Sequence, residues 1–187
     1  MKRLPRALVA ALALAAGGLV HGGGGGESES FMPKGGRTLL LEVLGPQVGA
    51  DALRRLASTR HTEAQWTEFV AARAASLSEH EKATLVAYLS VNMPAPSAAT
   101  TAGGVPVVAA ALPRDGRELA WNQCQFCHSL FSSQLTQSRD VQGWRSIFLS
   151  PFHRELKMTP QEREEFARYS AINMPMKVDD VPAELRF

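Results

Sequence analysis

The sequence predicts an all-α fold made of two small helical units in tandem. Three observations support it. No stretch alternates apolar and polar residues as a half-buried strand does. Leu77-Ser78-Glu79 through Asn92-Met93-Pro94 matches Met158-Thr159-Pro160 through Asn173-Met174-Pro175 at an offset of 81 residues throughout, an internal repeat. Each copy also has the makings of one helix. Ser78 or Thr159 can cap the N-terminus, acids fill the first turn where the macrodipole favours them, and Pro160 sits where a missing N–H costs nothing. Leu85, Tyr88 and Leu89 in the first copy, and Phe166, Tyr169 and Ser170 in the second, form one stripe at i, i+3, i+4. Pro94 and Pro175 then end the two helices.

The chain begins with Lys2, Arg3 and Arg6, followed by an apolar run from Ala7 to Ala16 that is too short to span a bilayer comfortably. Residues 1–20 thus read as a secretory signal peptide. Contact with a membrane is expected only through this leader, if it stays uncleaved. Residues 21–35 hold Gly22 to Gly26 and Glu27-Ser28-Glu29-Ser30, and they read as a flexible tether. Residues 36–94 are the first helical unit. Residues 95–113 follow, with Pro96, Pro106 and Pro113 among Ala, Ser, Thr and Gly, and read as a linker partly extended by its prolines. The second unit occupies 114–175, opening on a helix that begins at Arg114-Asp115-Gly116-Arg117-Glu118, and 176–187 is a C-terminal tail.

The chain has 187 residues, with 20 Lys and Arg against 18 Asp and Glu. Three of the basic residues lie in the leader, and without them the formal charge moves from +2 to −1. No basic surface therefore argues for nucleic acid. The clustered Glu162, Glu164 and Glu165 read as a solvated helix face.

Chemistry concentrates at Cys124-Gln125-Phe126-Cys127-His128. A C-x-x-C-H run reads as a c-type haem attachment site. Two thiols separated by two residues can reach the vinyl groups on one porphyrin edge, and the next residue brings an imidazole to the iron. A structural zinc site needs about four ligands, and the chain holds no third cysteine. A thioredoxin-like dithiol calls for a βαβ surround. Both cysteines of the chain lie in this motif, so no structural disulfide is available.

The five residues resemble the c-type cytochrome family. Gly143-Trp144, Met158-Thr159-Pro160-Gln161-Glu162, Phe166 and Tyr169 are similar to the closing part of a small cytochrome c domain, so the resemblance covers about residues 114–175. It implies one covalently attached haem c, with thioethers at Cys124 and Cys127 and with His128 as proximal iron ligand. It also implies attachment in the periplasm, which agrees with the leader, and an opening helix that crosses the closing one. Trp66 corresponds to Trp144 at an offset of 78. The same 78 carries Cys124, Cys127 and His128 back onto Pro46, Gly49 and Ala50. The first unit is therefore expected to be cytochrome-like and haemless.

His153, Met158, Met174 and Met176 are the candidates for the sixth iron ligand. In this family the distal residue tends to precede the closing helix, its aromatic following some sixteen or more residues later; His153 stands sixteen residues before Tyr169 and Met158 eleven. Met158 occupies the place of Leu77, and Met174 that of Met93 where no iron is expected, which favours core roles for both. Trp144, with Arg139 or Arg145, can hydrogen-bond a haem propionate; the alternative, favoured for either arginine, is a core aromatic and solvated charges. The expected function is single-electron transfer by a carrier that is not itself an enzyme. Its partner is a redox protein, or an oxidoreductase of which it is the cytochrome subunit. The alternative is a haem-based sensor or small-ligand binder whose sixth ligand is weak or absent. A haem peroxidase would call for a second haem or a distal acid–base pair.

Overall fold

A computed structural model describes residues 29–101 and 103–187, in which every regular element is a helix. The leader expected over 1–20 and the glycine run of the tether lie outside the described residues. The first six helices are α1 (Gly36–Leu44), α2 (Ala50–Ala57), α3 (Glu63–Arg73), α4 (Glu79–Asn92), α5 (Ser97–Thr101) and α6 (Val105–Ala111). Then come α7 (Gly116–Cys124), a π-turn at Phe131–Leu135, α8 (Val141–Ser146) running into a 3-10 turn, α9 (Pro151–Arg154) and α10 (Pro160–Asn173). Two apolar cores result. One gathers Leu39, Leu53, Trp66, Leu85 and Tyr88, the other Leu119, Leu135, Trp144, Phe166 and Tyr169.

The repeated helices form for the reasons their sequences suggest. Ser78 accepts from Glu81 N–H while the Glu81 carboxylate accepts from Ser78 N–H at 2.9 Å. Thr159 and Glu162 build the same box on α10, at 2.8 Å. Two otherwise orphaned donors are satisfied at each helix start. At the far ends Met93 and Met174 are extended, and the following prolines cannot continue a helix.

Each repeated helix receives a shorter one through a glycine. A Cβ on Gly36 would lie 2.1 Å from Tyr88 Cβ, and one on Gly116 would lie 2.0 Å from Tyr169 Cβ. No other residue permits these crossings. They also extend the repeat upstream: Pro33-Lys34-Gly35-Gly36-Arg37-Thr38-Leu39 matches Pro113-Arg114-Asp115-Gly116-Arg117-Glu118-Leu119 at an offset of 80. The expected equivalence of the C-x-x-C-H motif with Pro46, Gly49 and Ala50 is thereby corrected. Matching helices place Cys124, Cys127 and His128 on Leu44, Gln47 and Val48.

The two cores are locked together by exchanged contacts along the α4–α10 seam. Tyr88 Oη donates to Pro113 O at 2.8 Å, and Tyr169 Oη donates to Pro33 O at 2.6 Å. Asn92 Nδ2 donates to Glu165 Oε2 at 2.9 Å, and Asn173 Nδ2 donates to Thr84 Oγ1 at 3.0 Å. Thr84 and Glu165 hold matching positions in the repeat. Arg37 adds an ion pair with Glu118 and donates its N–H to Asp115 Oδ2 at 3.2 Å.

Three expectations are corrected, for the linker, the tether and Glu165. Residues 95–113 are not an extended linker: α5 and α6 lie against α2, and Ala99, Val108 and Leu112 are buried in the first core. Pro106 sits in the first turn of α6, where it has no N–H to lose. The tether does not reach residue 35, because Met32 is buried in the second core and Phe31 meets Trp121 edge-on at 6.1 Å. The tail returns to the protein through Val181, 1% exposed, and through Met176 N–H, which donates to Leu135 O at 2.7 Å. Glu165 is buried, not solvated. It faces α4 and α7 across the seam, while Glu162 and Glu164 pair with arginines on the outside.

Candidate functional site

The α7 helix carries the C-x-x-C-H motif to its place. Asp115 caps it, accepting from Glu118 N–H at 3.1 Å, while the Glu118 carboxylate accepts from Asp115 N–H at 3.0 Å. Cys124 is the last residue of the helix, and Phe126, Cys127 and His128 follow in an exposed turn. Cys124 is half-buried and Cys127 is exposed. Burial, with a contribution from Cys127, pushes the Cys124 thiol up to about 12. A thiol so raised stays protonated at neutral pH, unlike the lowered thiol of a redox-active pair.

Both cysteines and His128 line a cavity of about 820 Å³ whose walls include Trp144, Ile147, Leu156 and Phe166. His153 lines the same cavity. Its ring centre lies 6.0 Å from that of His128, with the planes at 76°.

A local break in the chain brings His153 there. In the first unit Trp66 belongs to one uninterrupted helix, α3. After Trp144 the chain has three more residues to spend before its closing helix, and Pro151 biases the residue before it towards extended backbone. Ser150 adopts φ −60° and ψ 139°, the helix stops, and α9 starts afresh. His153 Nδ1 then lies 2.9 Å from Ile147 O. With the carbonyl taking the Nδ1 proton, Nε2 is the nitrogen left for another partner.

The methionines are placed differently. Met158 and Met174 are each 6% exposed in the second core, and neither is on the cavity wall; Met176 packs against the same core. Arg145 is bound twice to Glu164, at 2.6 Å each, and is off the wall. Arg139 is on the wall, its guanidinium 5.3 Å from the centre of the Trp144 ring.

Gln134, which nothing in the sequence singles out, is part of the site. The π-turn, a form found often at functional sites, buries it on the cavity wall with its Nε2 donating to Ser170 Oγ at 2.8 Å. Its Oε1 and the indole Nε1 of Trp144 are buried without a partner among the described residues. Buried polar atoms are seldom left so.

These residues fit a porphyrin. The volume lies within the range of organic-ligand cavities, the walls are largely apolar, and two thiols stand at one edge. Two imidazoles bound to one metal ion through bonds of about 2 Å have ring centres roughly 6 Å apart, the separation found for His128 and His153. Among the described residues no three His, Cys, Asp or Glu side chains converge on a metal-sized site. What the four residues share is a cavity wall. No protein-family model matches the chain, and no curated protein or solved structure matches it.

Proposed function

We propose that the protein is a monohaem c-type cytochrome of the periplasm that carries single electrons. The observation that supports it most is the nearness of His128 and His153, ring centres 6.0 Å apart on the wall of a cavity that both cysteines of the C-x-x-C-H motif also line. Cys124 and Cys127 would hold the group covalently, through thioethers to its vinyl groups. His128 and His153 would bind its iron, the His153 ring held in orientation by Ile147 O. Arg139 and Trp144, both on the wall, would meet its propionates. Bound there, haem supplies one-electron Fe(III)/Fe(II) chemistry, with a potential lower for two imidazoles than for imidazole and thioether.

Phe152 on the wall is 87% exposed, and Phe126 and Leu149, each next in sequence to a wall residue, are 76% and 69% exposed. These exposed apolar groups suit brief contact with a redox protein or an oxidoreductase partner. The first unit is a copy without thiols at the matching positions. It supports α10, the helix that backs the cavity through Phe166. The test of attachment is the mass of the exported protein. One haem mass per chain is expected, retained through denaturation and lost in Cys124→Ala/Cys127→Ala. A chain mass without haem from a host competent in haem attachment would overturn the proposal.

A further inference from the structure

The first core has its own cavity, in the place that the repeat makes equivalent to the larger one. It is about 280 Å³ and is lined by Leu44, the counterpart of Cys124, and by Trp66, the counterpart of Trp144. The corner around the tryptophan is kept in both units. Arg139 lies over Trp144; His61, 78 residues earlier, meets Trp66 edge-on with ring centres 4.7 Å apart. Trp66 is 1% exposed, and its indole N–H has no partner among the described residues. A buried donor left without an acceptor costs on the order of 1–3 kcal/mol.

Two arginines stand at the same cavity. Arg73 lies over the Phe69 ring at 4.4 Å, and neither Arg73 nor Arg55 is in an ion pair among the described residues. Asp51, the acid nearest Arg55 in sequence, pairs with Arg54. Beyond Thr59, whose hydroxyl donates to Arg55 O, the remaining walls are the apolar Leu44, Ala52, Leu56 and Phe69. Two guanidiniums outside any ion pair and an apolar floor together select a ligand with one anionic end and one apolar end.

We propose that the cavity beside Trp66 binds a small carboxylate with an apolar body, the carboxylate meeting Arg55 and Arg73. The volume admits a group the size of one aromatic ring with its carboxylate. The proposal stands whatever fills the larger cavity.

The test is a titration of the full-length protein with benzoate, read on the Trp66 indole N–H resonance and assigned with Trp66→Phe. The expected result is a saturable shift at millimolar benzoate, weakened at least tenfold in Arg73→Ala and in Arg55→Ala. Both side chains are exposed, so these variants keep the fold, and an unchanged melting curve checks it. Inorganic phosphate, lacking the apolar body, is expected to bind at least tenfold more weakly. No shift up to about 50 mM benzoate, more than ten-thousandfold weaker than a micromolar site, or an equal response to phosphate, would overturn the assignment.

Discussion

Glu165 of α10 accepts a hydrogen bond from Asn92 of α4 at 2.9 Å and another from Gly116 N–H, the first residue of α7, at 3.0 Å. One carboxyl group thus joins the seam between the two cores to the helix that carries the cysteines.

Burial, reinforced by the Asp115 charge, raises the Glu165 carboxyl to about 8, and the bonds from Gly116 and Asn92 only partly oppose it. A folded-state value above the unfolded one means that the native state holds the proton longer. The contribution of Glu165 is therefore fully present below about pH 4.5 and is lost as pH rises towards 8. Glu164 acts in the opposite sense: the Arg145 bond, then that of Arg168, lowers it to about 2, so its contribution fades as pH falls below 4.5. Glu165→Gln is expected to flatten the alkaline limb of stability against pH and to raise stability at pH 8 by about 1–3 kcal/mol. Denaturant melts at pH 5, 6.5 and 8 provide the check; an alkaline limb as steep in the variant as in wild type would contradict this role.

Gly116→Ala would press a methyl group into Tyr169, and Gly36→Ala into Tyr88. Each is expected to destabilise the protein by roughly 2–4 kcal/mol. Because Tyr88 and Tyr169 each donate to the segment before the other unit's first helix, Gly36→Ala should lower the melting of both cores together. Separate transitions followed at Trp66 and at Trp144 would show that the seam does not couple them.

Met158→Leu keeps the volume of a buried residue that is off the cavity wall, so a cost below about 1.5 kcal/mol is expected. The ferric spectrum should not change. A change of spin state on this substitution would move the distal role from His153 to Met158.

Deleting residues 178–187 removes buried Val181 and its neighbours from the second core. A loss of about 1.5–3 kcal/mol is expected from that side chain alone, measurable as a shift in denaturant midpoint. An unchanged midpoint would mean that the tail adds nothing.

Which features could be read in the sequence follows from their physics. Helix caps are local, so the boxes at Ser78 and Thr159 declare themselves through residues three apart. The C-x-x-C-H run is local too. The Gly36 and Gly116 crossings escape notice because the offset runs from 80 to 78 to 81 along the chain, and a glycine marks a close approach only once its partner is known. Glu165 looks like its solvated neighbours, since burial is decided by α4, a helix from the other half. Residues 95–113 look like a linker because small residues and prolines fit both an extended chain and the thin helices that pack where little space remains. Gln134 has no local signature at all: a glutamine becomes a wall residue only when the π-turn rotates it inward.

The most direct measurement is the ferric spectrum, optical and paramagnetic, of the exported protein beside His153→Ala and Met158→Leu, with haem counted as its pyridine complex. The account predicts one c-type haem per chain, low-spin in wild type and in Met158→Leu, with no sulfur-to-iron charge-transfer band, and high-spin in His153→Ala. A high-spin wild type would instead favour a ligand-binding sensor, and a sulfur band or a low-spin His153→Ala would contradict the pairing of His128 with His153.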